Sequence, residues 1–266
     1  MCGIAGYSLS AETRLNTTLV AQTLLAGIAE RGADAVGYAH RNGGAPRATV
    51  IKQRSGASKL LERISVPAAA TQLLLHVRDY TKGHPSIAAN NHPVRHGPVV
   101  GIHNGIIVND DELLAGFSCA RAERGMTVDS EAIFALAAHS RGDAAALEQL
   151  RGALATGWLD ERTPDVVYLA RGVGRPLWLG VGHGAIFFAS TKRALEILER
   201  YTRTKLRKRE VREGTMLVLA DGEVRRTQRF RPDHGFVEDD PLPAVRAPRE
   251  AEQCLTALAA LAAAAA

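Results

Sequence analysis

The second residue of this sequence combines two groups that could act on a carbonyl carbon. The chain begins MCGIAGY, so Cys2 follows the initiator methionine directly. If Met1 is removed, Cys2 carries both a thiol and a free α-amino group. The thiol is only a few per cent ionised at neutral pH, but an α-amine has a pKa of about 7.7 to 8.0 and can accept its proton. One residue would then supply nucleophile and base.

Three other positions carry groups that would assist such an attack. Asn104 and Gly105 offer a side-chain amide and a backbone N–H to a developing oxyanion. Arg78 ends the apolar stretch TQLLLHVR, and its planar guanidinium suits a carboxylate. Asp129 opens a predicted helix and could bind an α-ammonium group. An Asn-Gly turn, a surface ion pair and a helix N-cap are the ordinary alternatives, so the chemical hypothesis depends on all of them occurring together.

These residues lie in longer motifs that resemble the class II glutamine amidotransferases, whose glutaminase domains are N-terminal-nucleophile hydrolases. The glutaminase domains of glucosamine-6-phosphate synthase and amidophosphoribosyltransferase are similar in the same way. The resemblance covers about residues 2–222. It is carried, in order, by MCGIAGY, ERGADAVGYA, HVRDYTKG, NNHPVRHGPVVGIHNGIIVND, TVDSEAIFAL and GRPLWLGVGHGAIFFASTKRAL.

The resemblance implies an enzyme and a reaction. Cys2 would attack the side-chain amide of L-glutamine, and its α-amine would return the proton to the leaving ammonia. Asn104 and Gly105 would form the oxyanion hole. A thioester would form, ammonia would leave, and water would release glutamate. The reaction requires no cofactor and no metal.

The same resemblance assigns four residues to the substrate. Arg78 would bind the α-carboxylate of glutamine, and Thr81 lies in the same loop. Asp129 would bind the α-ammonium group. Arg31, in the segment Arg-Gly-x-Asp, would form part of the wall beside the nucleophile.

The sequence departs from the family pattern near these residues without removing a group that the chemistry needs. Lys82 stands where the sugar-synthase relatives have a histidine. Asp79 and Tyr80 stand where the family has an aromatic residue followed by a small one. Ala35 and Val36 stand where the family has a small polar pair, and this replacement could alter the pocket wall.

Hydrophobic patterning predicts the elements that must position the site. Strands are predicted at 2–9, 35–40, 47–52, 71–78 and 98–105, the last ending in an Asn-Gly turn; a three-stranded meander at 164–171, 176–182 and 185–190; and a hairpin at 214–226 that turns at Asp-Gly. Helices are predicted at 17–30, 129–140, 145–152, 191–200 and 251–266, with a loop over 81–97. This grouping predicts packed layers, and the resemblance implies an α+β, four-layer αββα sandwich of two antiparallel sheets.

The motifs and the composition predict one catalytic domain followed by a tail. The glutaminase domain is expected over 2–228, and 229–266 reads as a Pro- and charge-rich linker with an Ala-rich end. We therefore expect no second catalytic domain and delivery of ammonia to a separate synthase subunit. The basic stretch 202–212 or the tail would be the docking surface.

Composition excludes several other classes of protein. The 266 residues are 46% hydrophobic and 23% charged, as in a globular protein. Three cysteines without a CxxC pair argue against a disulfide scaffold or structural zinc, and there is no secretory leader or membrane span, so we expect a cytoplasmic protein. The net charge is +5, and much of it lies in the basic stretch 202–212. This stretch has no interleaved aromatic residues for base stacking, which argues against binding of nucleic acid. A homo-oligomer is left open.

Three alternative functions stay open at this point. Another N-terminal-nucleophile amidohydrolase would cleave a small amide without transferring ammonia. A non-catalytic binding or regulatory module would retain only the fold. A metal hydrolase would use the histidines His84, His92, His96 and His103; helical spacing of the middle pair is disfavoured by Pro93 and Gly97.

Overall fold

The computed structural model describes residues 2–239 and 243–264. Thirteen strands occur in this part of the chain: β1 (Gly3–Leu9), β2 (Ala35–Asn42), β3 (Thr49–Gln53), β4 (Ala70–Arg78), β5 (Val94–His96), β6 (Val99–Ile107), β7 (Gly152–Asp160), β8 (Val166–Arg171), β9 (Trp178–Gly182), β10 (Ala185–Ala189), β11 (Arg207–Glu210), β12 (Thr215–Ala220) and β13 (Glu223–Arg229). Its helices are α1 (Thr17–Ile28), α2 (Ala57–Leu61), α3 (Asp110–Gly116), α4 (Glu131–Ser140), α5 (Lys192–Thr202) and α6 (Pro248–Ala264). Short 3₁₀ helices cover Ala29–Arg31, Ala88–Asn90 and Ala144–Gln149.

The strands form two antiparallel sheets. The first has the order β11-β9-β10-β1-β4-β2-β3, and the second has the order β13-β12-β8-β7-β6-β5. β1 therefore lies at the centre of the first sheet, between β10 and β4. β6 lies near one edge of the second sheet, between β7 and β5.

Alternating side chains sort the interior into layers. In β1, Ile4 faces the space between the sheets, whereas Tyr7 and Leu9 face the helices α1, α5 and α6. The second sheet packs its other face against α3 and α4 through residues such as Trp158 and Phe134. The order is helices, sheet, sheet, helices, which confirms the predicted α+β, αββα sandwich.

Several predicted elements are wrong in detail. The three-stranded meander does not form, since β8 belongs to the second sheet and only β9 and β10 pair with each other. The helix predicted at 145–152 is a 3₁₀ helix, and Gly152 already begins β7, a strand that the patterning missed. β5 lies inside the predicted loop, and β11 lies inside the basic stretch.

The dipeptide Asn104-Gly105 does not form the predicted turn. β6 continues through it to Ile107 and pairs with β7 along its length. Gly105 has a φ of +152°, and an added Cβ would lie 1.9 Å from the carbonyl oxygen of Ala153. The strand can therefore pass this point only with glycine, which keeps Asn104 within the sheet.

The C-terminal helix α6 packs onto the first helical layer. Cys254 and Leu258 are fully buried in the core shared by α1, α2 and the first sheet. The expected domain boundary after residue 228 stays a prediction. Within residues 2–239 and 243–264, no helix combines the length and the apolar character needed to cross a membrane.

Candidate active site

Cys2 lies immediately before the central strand of the first sheet. Its Sγ donates to the carbonyl oxygen of Asp79, which follows β4, at 3.5 Å. The side chain of Arg31, in the 3₁₀ helix after α1, donates through Nε to the carbonyl oxygen of Cys2 at 3.4 Å. The nucleophile candidate is thus fixed between the end of β4 and the end of the first helix.

The environment of Cys2 keeps its thiol protonated. Burial raises the pKa of the Cys2 thiol above its ordinary value, although the hydrogen bond to Asp79 and the positive charge of Arg78 act in the opposite direction. A thiol of this kind needs a base at the moment of attack. The α-amino group of the same residue is the base that the sequence predicts.

A glycine allows the 3₁₀ helix to approach the end of β4. A Cβ at Gly32 would lie 2.3 Å from the carbonyl oxygen of Arg78, a distance that no side chain tolerates. Next to it, Asp34 donates its backbone N–H to that carbonyl at 3.0 Å and accepts the N–H of Tyr80 on Oδ2 at 2.9 Å. This close packing holds Cys2, Arg31 and Arg78 at one end of the sandwich.

Arg78 is buried and already binds several protein oxygens. Nη1 donates to Oδ1 of Asn91 at 2.6 Å, and Nη2 donates to the carbonyl oxygens of Lys82, at 2.9 Å, and Gly83. Since a guanidinium has five N–H groups, its Nε–H and one Nη1–H stay without a partner among the described residues. The arginine therefore shapes the loop after β4 and still has donors for a ligand.

Within residues 2–239 and 243–264, neither buried arginine beside the nucleophile bonds to a carboxylate. Arg78 binds only neutral oxygens, and Arg31 has an unpartnered Nη2 within the described part of the chain. Their exposed fractions are only 2% and 3%. Buried charge without a counter-ion is costly, so this end of the sandwich favours an anionic ligand.

Asn104 presents a buried amide that no other described residue pairs with. The residue is 0% exposed, and neither Oδ1 nor Nδ2 makes a hydrogen bond to the described residues. Buried polar groups in proteins are almost always paired, because an unpaired one costs about 1–3 kcal/mol. Such an amide suits a donor that acts only when a substrate is bound.

Asp129 has one carboxylate oxygen held by the protein and one available. Oδ2 accepts the backbone N–H of Ile107, at the end of β6, at 2.8 Å. The hydroxyl of Ser130 lies 3.4 Å from Oδ1 but 2.9 Å from Nδ1 of His103. Nε2 of that imidazole donates to the carbonyl oxygen of Ala153, so Nδ1 is the acceptor and takes the single serine hydrogen.

Electrostatics show that three of the predicted residues converge. Burial lowers the pKa of the Arg78 guanidinium, and Cys2 and Asp129 are close enough to oppose that change. Asn104 lies at the same end of the sandwich, because the residue before it in β6, His103, is hydrogen-bonded to β4. Nε2 of His76 on β4 donates to the carbonyl oxygen of His103 at 3.0 Å. Thr81 is exposed on the loop between Arg78 and the 3₁₀ helix at Ala88–Asn90, and its role in binding stays a prediction.

A network of side chains that the sequence reasoning missed holds this loop. Lys82 Nζ binds both carboxylate oxygens of Asp110 in α3, at 2.7 and 2.8 Å. Asn90 accepts the backbone N–H groups of Thr127 and Val128 on Oδ1, which positions the segment before Asp129. The only sequence signal for it was the polar character of the NNHP motif.

Buried histidines support the same end of the sandwich. The rings of His76 and His92 stack with centroids 4.1 Å apart. Burial lowers the pKa of His76 to about 3 and holds that of His92 well below its usual range, so both rings are neutral. Each of the four histidines of the metal alternative contacts a different residue. No cluster of three potential metal ligands occurs among the described residues.

These neutral histidines predict a loss of stability in acid. In the unfolded chain they titrate near 6.5, whereas in the folded chain the pKa of each ring lies well below that value, so below about pH 6.5 the unfolded state binds more protons than the folded state. The free energy of unfolding should therefore fall as the pH decreases below about 6.5, by about 1.4 kcal/mol per pH unit for each such histidine. Urea unfolding at pH 7, 6 and 5 measures this pH dependence. His92→Gln should lower the slope of the free energy of unfolding against pH by the contribution of one histidine. An unchanged slope in that variant contradicts the assignment.

Comparison with known proteins decides the family. Residues 77–197 match the family model described as a glutamine amidotransferase domain. Glutamine–fructose-6-phosphate aminotransferase (isomerizing) of Escherichia coli O6:H1 (strain CFT073) is 33% identical over 212 residues, which are 73% of this chain and 32% of that protein. The enzyme of the same name from Symbiobacterium thermophilum is 30% identical over 248 residues, covering 88% of this chain and 39% of that one.

The chain contains a class II glutamine amidotransferase domain. It spans about a third of the length of the curated relatives that it matches. The glutamine phosphoribosylpyrophosphate amidotransferase from B. subtilis, solved with ADP and GMP, has the same fold, with a TM-score of 0.67 at 20% identity over 86% of this chain and 49% of that chain. The predicted family, the amidotransferase type of enzyme and the N-terminal-nucleophile fold are therefore confirmed.

Proposed function

We propose that this amidotransferase domain hydrolyses the side-chain amide of L-glutamine to glutamate and ammonia, with Cys2 as the nucleophile. The observation that carries the proposal is the buried, unpartnered amide of Asn104, at the same end of the sandwich as Cys2. A donor left unpaired in the free protein is what an oxyanion hole requires, since it binds most strongly when charge develops on the substrate.

The proposed reaction uses groups of this chain alone. After removal of Met1, which lies outside the described residues, the α-amine of Cys2 accepts the thiol proton and Sγ attacks the amide carbon. Nδ2 of Asn104 and the N–H of Gly105 stabilise the oxyanion. The amine then protonates the leaving nitrogen, ammonia departs and a thioester forms. Water attacks the thioester, which releases glutamate and restores the thiol. The free thiol fits the expected cytoplasmic location.

Recognition of glutamine is assigned to the charged groups around the nucleophile. Arg78 would bind the α-carboxylate through its remaining N–H groups, and that carboxylate would supply the counter-ion that the buried guanidinium lacks. Asp129 would bind the α-ammonium group through Oδ1. Arg31 and Thr81 would complete the wall and the loop of the pocket. A free amino acid is the substrate class that this pair of opposite charges favours.

Turnover of glutamine by the purified, Met1-free chain tests the proposal. We expect equal amounts of glutamate and ammonia, and hydroxylamine should divert the product to γ-glutamyl hydroxamate by attacking the thioester. N-acetyl-L-glutamine, which lacks the α-ammonium group, should react at least about tenfold more slowly, because it leaves the Asp129 carboxylate unpaired. Equal rates for the two compounds favour the alternative amidohydrolase; binding without turnover favours a non-catalytic module.

We further propose that the ammonia passes to a separate synthase subunit that docks at an arginine groove. This groove, of about 640 Å³, lies between β11 and the β12–β13 hairpin and is lined by Arg209, Arg212, Thr215, Thr227 and Arg229, among others. The first two arginines are exposed and have no acidic partner in residues 2–239 and 243–264. Their charge fits an acidic surface on the partner.

The arginine groove opens near the end of the sandwich that holds the active site. One row of paired residues crosses the second sheet from the groove to the proposed oxyanion hole: Arg229, Thr215, Arg171, Ala155 and Asn104. Four strand spacings separate its ends, or about 19 Å. A subunit docked at the groove would therefore cover the same end of the second sheet, four strands away from the proposed oxyanion hole.

Reversal of the groove charge tests the docking proposal. The double variant Arg209→Glu/Arg212→Glu should keep the glutamine hydrolysis of the wild type but lose the synthase subunit that copurifies with the wild-type chain from its native source. Arg203→Glu, an exposed change on the preceding turn, serves as the control. Retention of the same subunit by the reversed variant contradicts the proposal, and so does purification of the wild type without any partner at full uncoupled rate.

A further inference from the structure

Residues 243–247, which we call the strap, precede α6 and lie against the wall of the active site. The backbone N–H groups of Arg246 and Ala247 both donate to the carbonyl oxygen of Glu30, at 2.8 and 2.9 Å. The next residue along the 3₁₀ helix is Arg31, which binds the carbonyl oxygen of the nucleophile. The strap is therefore attached one residue away from a direct contact with the nucleophile.

The side chain of Arg246 extends from the strap to the other side of the nucleophile. Its Nε donates to Oδ2 of Asp79 at 3.1 Å, an ion pair in which the arginine side chain is 40% exposed and the aspartate side chain is 14% exposed. The carbonyl oxygen of Asp79 accepts the thiol of Cys2. One residue thus connects the two segments between which the nucleophile lies.

The helix that follows holds the strap in place. Glu250, in the first turn of α6, accepts the backbone N–H of Ser58 at 2.9 Å and its hydroxyl at 3.1 Å. Farther along, Cys254 and Leu258 are fully buried against the first helical layer. The position of Arg246 is consequently set by a packed helix rather than by an exposed tail.

We propose that Arg246 is a positioning residue that holds the glutamine-binding loop 79–83 against the 3₁₀ helix at Ala29–Arg31. The inference rests on the proposed glutamine hydrolysis and deepens it. Arg246 touches no reacting atom and acts through Asp79, the residue that departs from the aromatic-small pattern of the family. Its loss would let the loop move away from Cys2, which weakens binding of the substrate more than the chemical steps that follow.

Steady-state kinetics test the proposal. Arg246→Ala should raise the KM for glutamine up to about fivefold, the effect of losing one partly exposed ion pair, with kcat within about twofold of the wild type. Arg246→Lys keeps a charge that can reach Asp79 and should recover much of the loss. Arg249→Ala is the matched control, because this exposed arginine lies three residues away without a partner in the described structure. High salt should raise the KM of the wild type by a larger factor than that of Arg246→Ala, which has already lost this ion pair.

A second measurement does not need glutamine. Iodoacetamide alkylates thiols, and peptide mapping by mass spectrometry separates Cys2 from Cys119 and Cys254. The alkylation of Cys2 should be several-fold faster in Arg246→Ala and in Asp79→Asn than in the wild type, since the loop no longer covers the sulfur. This result supports positioning by Arg246 even if the wild type fails to hydrolyse glutamine.

Two outcomes overturn the proposal. In the first, Arg246→Ala matches Arg249→Ala in both KM and alkylation rate, which would mean that the ion pair of Arg246 with Asp79 does not position the loop 79–83. In the second, Arg246→Lys is as impaired as Arg246→Ala and both melt at a lower temperature, so the residue supports the fold and not the loop.

Discussion

Replacement of Cys2 by Ala should abolish the release of glutamate and ammonia from glutamine, a loss of at least about 10⁴-fold in kcat. Without sulfur at this position no thioester can form, and the other two described cysteines lie elsewhere, because Cys254 is buried within α6 against the first helical layer and Cys119 follows α3. Cys2→Ser should stay close to inactive as well, since a hydroxyl is far harder to deprotonate than a thiol.

The Cys2 variants should keep the fold and the binding pocket. Cys2 is only partly buried and precedes β1, so its replacement should change the free energy of unfolding by less than about 1 kcal/mol. Calorimetric titration should still detect glutamine bound to Cys2→Ala through Arg78 and Asp129. Continued glutamine turnover by this variant would exclude Cys2 as the nucleophile. Intact mass must accompany each assay, because a retained Met1 blocks the α-amine and produces the same inactive result.

Replacement of Asn104 by Ala should lower kcat by about 10²–10³-fold with little change in KM, since the amide acts on the oxyanion and not on bound glutamine. Stability should behave differently. The variant removes a buried amide that has no partner, and this gain offsets the packing that is lost. We therefore expect a free energy of unfolding within about 1 kcal/mol of the wild type, measured in urea.

The opposite pattern would refute the role of Asn104. A variant that unfolds easily but retains its kcat would show that the amide supports the fold. Asn104→Asp is a useful companion, because the carboxylate has the same shape but repels an oxyanion. It should be at least as inactive as Asn104→Ala.

Local sequence patterns predicted the elements with strong periodicity or clear turn chemistry. The α5 helix begins at Lys192 and is capped by Thr191, whose side chain accepts the backbone N–H of Ala194. The β12–β13 hairpin turns at Asp221-Gly222 as expected. β7 was missed because its sequence GALATGWLD is buried on both faces and so shows no alternation. The division of β8, β9 and β10 between two sheets depends on contacts across the whole chain, which no local pattern contains.

The residues of the candidate site also fall into those that the sequence predicts and those that only the folded structure reveals. Cys2, Arg78, Asn104 and Asp129 could be chosen because their chemistry is visible in the residue types and the family motifs. The residues that hold them could not, since their roles arise from long-range contacts. Arg246 meets Asp79 across 167 positions of sequence, and Lys82 meets Asp110 across 28.

The central position of β1 also determines when the first sheet can be completed. β1 is made first, yet one of its two neighbours in the sheet is β10, and Ala5 pairs with Ala189. Pairing across such a distance in sequence is slow, because the entropy of closing the intervening chain is lost before the contacts form. On the ribosome, β1 therefore lacks one of its two neighbours in the sheet until β10 has emerged. A nascent chain that stops before β10 would carry the proposed nucleophile next to a strand with one open edge, so the first sheet is completed only late in synthesis.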